Sequence, residues 1–259
     1  MRTTTREANG SLLVLALLAP IVGAVSGLIG AVFRLALAEA DRFRDAVIVW
    51  AHGWKLGGFL VIAAGCAAAV AFAAWLVRRF SPYASGSGIP QVEAILQDKL
   101  PPTPPRLLLV KFFGGLSAIG AGLALGREGP SVQMGAAVAQ IVAKVSGRNW
   151  LDCKVLIAAG AGAGLATAFN APIAGAVFVL EELVRRFDTR LAIAALGASA
   201  AAIAVARAFL GAAPDFTVEP LAYVGVQVWP LFVALGAVAG LAGNLYPAAQ
   251  KCFLRGNPV

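Results

Sequence analysis

Three short constellations hold the polar side chains of this chain best placed to act on a small charged species. In the first, Gly86-Ser87-Gly88-Ile89-Pro90, two glycines permit a sharp turn, Ser87 offers a hydroxyl, and Pro90 suits the opening turn of a helix. The free N–H groups and positive dipole end of such a helix favour an anion, by about 0.3–1 kcal/mol at exposed sites and up to about 2 kcal/mol when partly buried. Ser87, Gly88 and Ile89 are therefore candidates for anion contact, with an ordinary turn before a helix as the alternative. The second constellation, Gly126-Arg127-Glu128-Gly129-Pro130, repeats this layout around a carboxylate. Placing Glu128 between apolar stretches costs about 2.5–3.5 kcal/mol, which marks it for a role on a pathway; an ion pair with Arg127 at an interface is the competing account. A carboxylate at a helix N-terminus can occupy an anion site when ionised and leave it when protonated, which is a gate coupled to a proton.

The third constellation is Phe169-Asn170-Ala171-Pro172, followed by an apolar helix that ends in Glu181-Glu182. Carboxylates at a helix C-terminus oppose the dipole, so helix stability does not account for them, although Arg185 and Arg186 stand one turn later as partners. Lys111, set in an apolar segment, either supplies positive potential or neutralises Glu93 on the short helix before it.

These motifs need elements that bring them together inside a membrane. Of 259 residues 59% are hydrophobic and 13% charged, with a mean hydropathy of +0.81, more apolar surface than a water-soluble globule covers. Residues 12–33 and 56–77 contain no charged side chain and match the roughly 20 residues needed to cross a bilayer. The first run is too long for a signal-peptide core and ends at Arg34 without a small-residue cleavage site, so it reads as a retained helix. Further spans are expected over 191–206 and 220–250, for eight to ten membrane segments in all. Gly126 to Pro130 and Asn170-Ala171-Pro172 interrupt the apolar sequence, and Pro101-Pro102-Thr103-Pro104-Pro105 makes a rigid connector after a short helix. Non-helical backbone at membrane depth survives only when buried in protein or lining a polar cavity, so the breaks mark where a transported species sits. Small residues such as Gly160 to Gly164 and Ala198 to Ala202 predict close helix packing.

The formal charge of +8 falls at the ends of apolar runs, at Arg78-Arg79, Arg148, Lys154 and Arg185-Arg186, which points to membrane flanks and away from nucleic acid. Cys66, Cys153 and Cys252 lack metal spacing and read as small buried side chains. His52, the single histidine, lies between tryptophans as at a membrane interface. No nucleophile–base set, cofactor loop or metal cluster points to an enzyme.

Taken in order and spacing, the three constellations resemble the signature of the CLC family of chloride channels and proton/chloride exchangers. That resemblance implies an all-α polytopic membrane fold of short, broken and re-entrant helices, with residues 1–220 as the first repeat of an inverted-repeat architecture and 221–259 as the start of the second. It implies that Ser87, Gly88 and Ile89 with Gly126, Arg127, Glu128 and Gly129 form the anion-site loops, that Ser87 coordinates the central chloride, that Glu128 is the gating carboxylate, and that Glu182, beside Glu181, is the inner proton-transfer residue of family exchangers. Lys111 and Glu93 stand as electrostatic support. Transported chloride and protons, no cofactor, a homodimer in a bacterial-type inner (plasma) membrane, and an N-terminus in the cytoplasm follow in the same way. The family's second-half Gly-x-Phe-x-Pro loop and late tyrosine are not found, so the resemblance also implies an incomplete copy or fragment with a missing second-half polypeptide. Proton-coupled chloride exchange is the reading the residues favour; a passive chloride channel and a non-transporting membrane subunit or scaffold are the alternatives.

Overall fold

The computed structural model describes the backbone of residues 2–213 and 225–256, and the side chains of residues 12–54, 56–213 and 225–247. The expected boundary between 220 and 221, and the side chains of Lys55, Lys251, Cys252 and Arg255, lie outside the described set. Among the described residues there are nine α-helices and no strand: α1 (Arg2–His52), α2 (Lys55–Phe80), α3 (Ile89–Leu96), α4 (Arg106–Gly120), α5 (Glu128–Val145), α6 (Trp150–Phe169), α7 (Pro172–Phe178), α8 (Thr189–Leu210) and α9 (Trp229–Gly256). Five are long and apolar enough to cross a membrane, over Leu12–His52, Leu56–Phe80, Trp150–Phe169, Thr189–Leu210 and Val226–Pro247. The protein is an integral membrane protein of α-helices, several of them short or broken. The expected count of eight to ten segments thus resolves into five such spans and four shorter helices.

The first span does not stop at Phe33. Residues 34–52 are good helix formers without glycine or proline, and Arg42–Glu39 and Arg44–Asp41 pair one turn apart, so α1 continues to His52. Its 51 residues reach about 75 Å, more than twice a hydrocarbon core of about 30 Å, and the helix therefore projects beyond it.

The chain forms two units, Met1–Asp215 and Phe216–Val259. In the first, α6 is the central post: residues 156–164 are buried on every side, between α5, α7 and α8. Glycine makes this possible where backbones touch. A Cβ on Gly135 would stand 2.1 Å from the Gly160 carbonyl oxygen, and one on Gly160 would stand 2.4 Å from that of Gly135. The same reciprocity joins Gly162 of α6 to Gly175 of α7. In the second unit α9 follows a 3₁₀ turn (Val226–Val228), and its Leu231, Val233 and Leu241 are exposed, an apolar surface suited to lipid or a packed helix.

Ion pairs tie the polar ends of these helices. Asp152, in the first turn of α6, is enclosed between Arg148, whose Nε donates at 3.1 Å, and Arg190 of α8, whose Nη2 donates at 2.9 Å. Hydrogen bonds from Lys154 and from Trp150 hold the Asp98 carboxyl below the usual carboxylate range and fasten the segment after α3 to α6. Asp152→Ala leaves two arginines without their shared acceptor and is expected to destabilise the folded protein by about 2 kcal/mol, since hydrogen bonds to charged groups contribute about 1.5–3 kcal/mol each. A thermal-unfolding scan in detergent checks this, and an unchanged midpoint would refute it.

Candidate functional site

The first two constellations meet. Gly86 (φ 67°) and Gly88 (φ 95°) both adopt the left-handed conformation that the sharp turn requires, and α3 opens at Ile89 with Pro90 in its first turn. Gly122 (φ 93°) ends the rise of α4, residues 123–126 run without helix, and α5 opens at Glu128 with Pro130 in the turn where a missing N–H costs nothing. The two helix starts touch at Gly129, where a Cβ would stand 2.4 Å from the Ser87 carbonyl oxygen and 2.6 Å from its Oγ. Ser87, Ile89, Lys111, Gly126, Glu128 and Gly129 all line one cavity of about 780 Å³ between α2, α4 and these two helix starts. The Glu128 carboxylate bends back over the loop, so that a Cβ on Gly126 would stand 2.0 Å from its Oε2. An ionisable oxygen, a hydroxyl and two positive dipole ends thus face one space, which suits an anion exchanging places with a carboxylate.

Lys111 does not meet Glu93. Its ammonium is buried behind the Ser87 turn and donates to the carbonyl oxygens of Ala84 at 3.0 Å and Gly86 at 2.7 Å, which satisfies the enclosed cation. Glu93 accepts instead from Gln97 at 3.0 Å and lies 3.9 Å from Arg185. Arg127 caps α5, its carbonyl accepting from the Ser131 backbone N–H and hydroxyl.

Glu181, Glu182 and Glu93 do not line the cavity. α6 ends at Asn170 in the left-handed conformation (φ 55°), α7 opens at Pro172, and the break falls where the Asn-Ala-Pro sequence predicts it. Past Phe178 the helix widens into a π-helical turn over Val179–Leu183, closed by the Val184 N–H to the Val179 carbonyl at 2.9 Å, and this turn carries both glutamates. Arg185 turns away from their carboxylates towards Glu93 and donates to the Glu182 backbone carbonyl at 3.2 Å. Among the described residues neither carboxylate has an ion-pair partner, so the expected pairing with Arg185 or Arg186 is not formed, and both are exposed.

Two glutamines belong to this region without having been anticipated. Gln133 on α5 is 2% exposed, and its Nε2 donates to the Tyr83 carbonyl at 2.8 Å; Gln91 on α3 donates to the Ser85 carbonyl at 3.1 Å. The available signal was an amide inside an apolar helix five residues after Glu128, since a polar side chain at membrane depth needs a partner. Gln140, one heptad beyond Gln133, clamps the proline-rich connector by exchanging hydrogen bonds with Thr103.

Short, interrupted helices whose starts meet at one cavity define a class of polytopic membrane proteins. The model of the voltage gated chloride channel family matches residues 69–255, and the chain belongs to that family, the CLC family. The H(+)/Cl(-) exchange transporters ClcA of Salmonella arizonae and Salmonella paratyphi B are each 37% identical to it over 240 residues, 90% of this chain and 50% of theirs. The chain spans about half the length of the curated relatives it matches. Among solved structures, a slow cyanobacterial Cl-/H+ antiporter aligns with a TM-score of 0.81 at 35% identity, covering 90% of this chain and 55% of that one. A CLC-type fluoride/proton antiporter shares the fold, with a TM-score of 0.72 at 24% identity over 96% of this chain and 61% of that one.

Proposed function

We propose that this chain builds one wall of the chloride pathway of a proton-coupled chloride exchanger. The observation that carries this reading is the convergence of Ser87 and Glu128, each at a helix start, on one cavity. Ser87 and the N–H groups that follow it bind chloride, Glu128 competes for the same space when ionised and leaves it when protonated, and Glu182 hands protons to it from the other side. Relatives named as H(+)/Cl(-) exchange transporters support exchange over passive conduction.

Residues 1–220 serve as the first repeat, and 221–259 begin the second. Inverted-repeat transporters hold their substrate at the interface between repeats, so the opposing wall comes from a second repeat. The working unit is a homodimer in a bacterial-type inner membrane.

The Glu182 assignment is checked with protein taken in its assembled form from its native membrane and reconstituted into vesicles. Glu182→Gln is expected to lose proton movement while chloride movement continues. Coupling that survives the substitution would remove Glu182 from the pathway.

A further inference from the structure

Four consecutive carbonyls leading into Ser87 are held by side chains from three different helices. Tyr83 accepts from Gln133 at 2.8 Å, Ala84 from Lys111 at 3.0 Å, Ser85 from Gln91 at 3.1 Å, and Gly86 from Lys111 again at 2.7 Å. The carbonyls of Ser81 and Pro82 just before them accept from the backbone N–H groups of Ala84 and Ser85, and that of Gly88, beyond Ser87, accepts from Val92. A peptide plane is rigid, so a carbonyl committed to a donor cannot swing its negative end away from that donor to face an anion.

Gln133 is the member of this set that belongs to the gate's own helix. Gly129 and Gln133 lie four residues apart on one face of α5, and both press on the Ser87 turn: Gly129 against Ser87, Gln133 against Tyr83 and Gly88. The Gln133 amide is enclosed, and its Oε1 has no hydrogen-bond partner among the described residues; it lies against Gly88, where a Cβ would stand 2.6 Å away. A methionine would fill the same space without enclosing an unpaired oxygen, so packing does not account for the amide. Its contribution is the hydrogen bond to Tyr83.

We infer that Gln133 is a positioning residue that locks the Tyr83–Gly88 turn to α5, keeping the turn's carbonyls averted from the anion and its geometry in register with Glu128. The inference deepens the transport reading above and rests on it for its link to chloride. It is tested on the reconstituted, assembled protein with Gln133→Met, which keeps length and volume but cannot donate, and with Gln91→Met, which frees only the Ser85 carbonyl. Backbone amide exchange over residues 82–92 is expected to quicken about tenfold in Gln133→Met and less in Gln91→Met, with α1 and α8 unchanged, as follows from losing one buried hydrogen bond. In flux assays the half-saturating chloride concentration is expected to rise about tenfold while maximum flux changes less than about twofold, the signature of lost binding.

A purely structural role would lower maximum flux at constant half-saturation, and that result would overturn the inference. Unchanged exchange over residues 82–92 in both variants would overturn it as well, whatever the flux. Absence of chloride flux from the unsubstituted protein would instead contradict the transport reading, and amide exchange would still decide whether Gln133 holds the turn.

Discussion

Glu128→Gln is expected to abolish proton movement, bringing it to the background of protein-free vesicles, and to leave chloride movement that no longer responds to pH. The amide has the shape of the protonated acid, cannot titrate, and lacks the charge that draws the carboxylate into the anion's place beside the start of α5. The sign for the unsubstituted protein follows from the same chemistry. If Glu128 gates the site as proposed, chloride turnover rises as pH falls, and in the glutamine variant that slope is flat. Vesicle efflux followed with a chloride electrode at several pH values checks it; a slope equal to that of the unsubstituted protein would assign the pH dependence to another group. Because the Glu128 carboxylate lies over Gly126, the same assay on Gly126→Ala is informative, since a methyl group there would fall 2.0 Å from Oε2 and must displace it.

Gly160→Val is expected to be the most damaging substitution away from the site. The Gly135 carbonyl oxygen stands 2.4 Å and the Ala139 Cβ 2.7 Å from where a Cβ on Gly160 would lie, and neither a backbone carbonyl nor a Cβ fixed to its helix can turn aside. Either α5 and α6 separate or the substitution strains both, at about 3 kcal/mol or more, against a total stability of about 5–15 kcal/mol. Since α5 carries Glu128 and Gln133, separation also spoils the site. Gly65→Val provides the contrast: Gly65 lies in a spanning helix with nothing within 4 Å of its Cβ position, so the same change there is expected to be tolerated. Monodisperse yield in detergent compares them, and equal yields would show that the α5–α6 crossing is not limiting.

Much of the site was legible in the sequence because its geometry is local. Gly86 and Gly88 supply left-handed turns, Pro90, Pro130 and Pro172 open helices, and Asn170 closes one in the left-handed conformation, each by the chemistry of a single residue. What was not legible depends on distant partners. Lys111 had two readings, and only the fold shows that its ammonium reaches Ala84 and Gly86, 27 and 25 residues away. The acceptor of Gln133 lies 50 residues away, beyond any local pattern, and Arg185 turns to Glu93 in place of the pairing with Glu181 or Glu182 that spacing alone suggests. The π-helical turn that carries those glutamates has no local signal in the sequence.

The most direct test of the central claim imposes only a chloride gradient across vesicles holding the assembled protein, with no difference in pH, and follows the internal pH. If Glu128 exchanges places with chloride as proposed, chloride leaving the vesicles draws protons in and the lumen acidifies, and Glu128→Gln abolishes this. Chloride efflux with no proton movement in the unsubstituted protein would contradict the account.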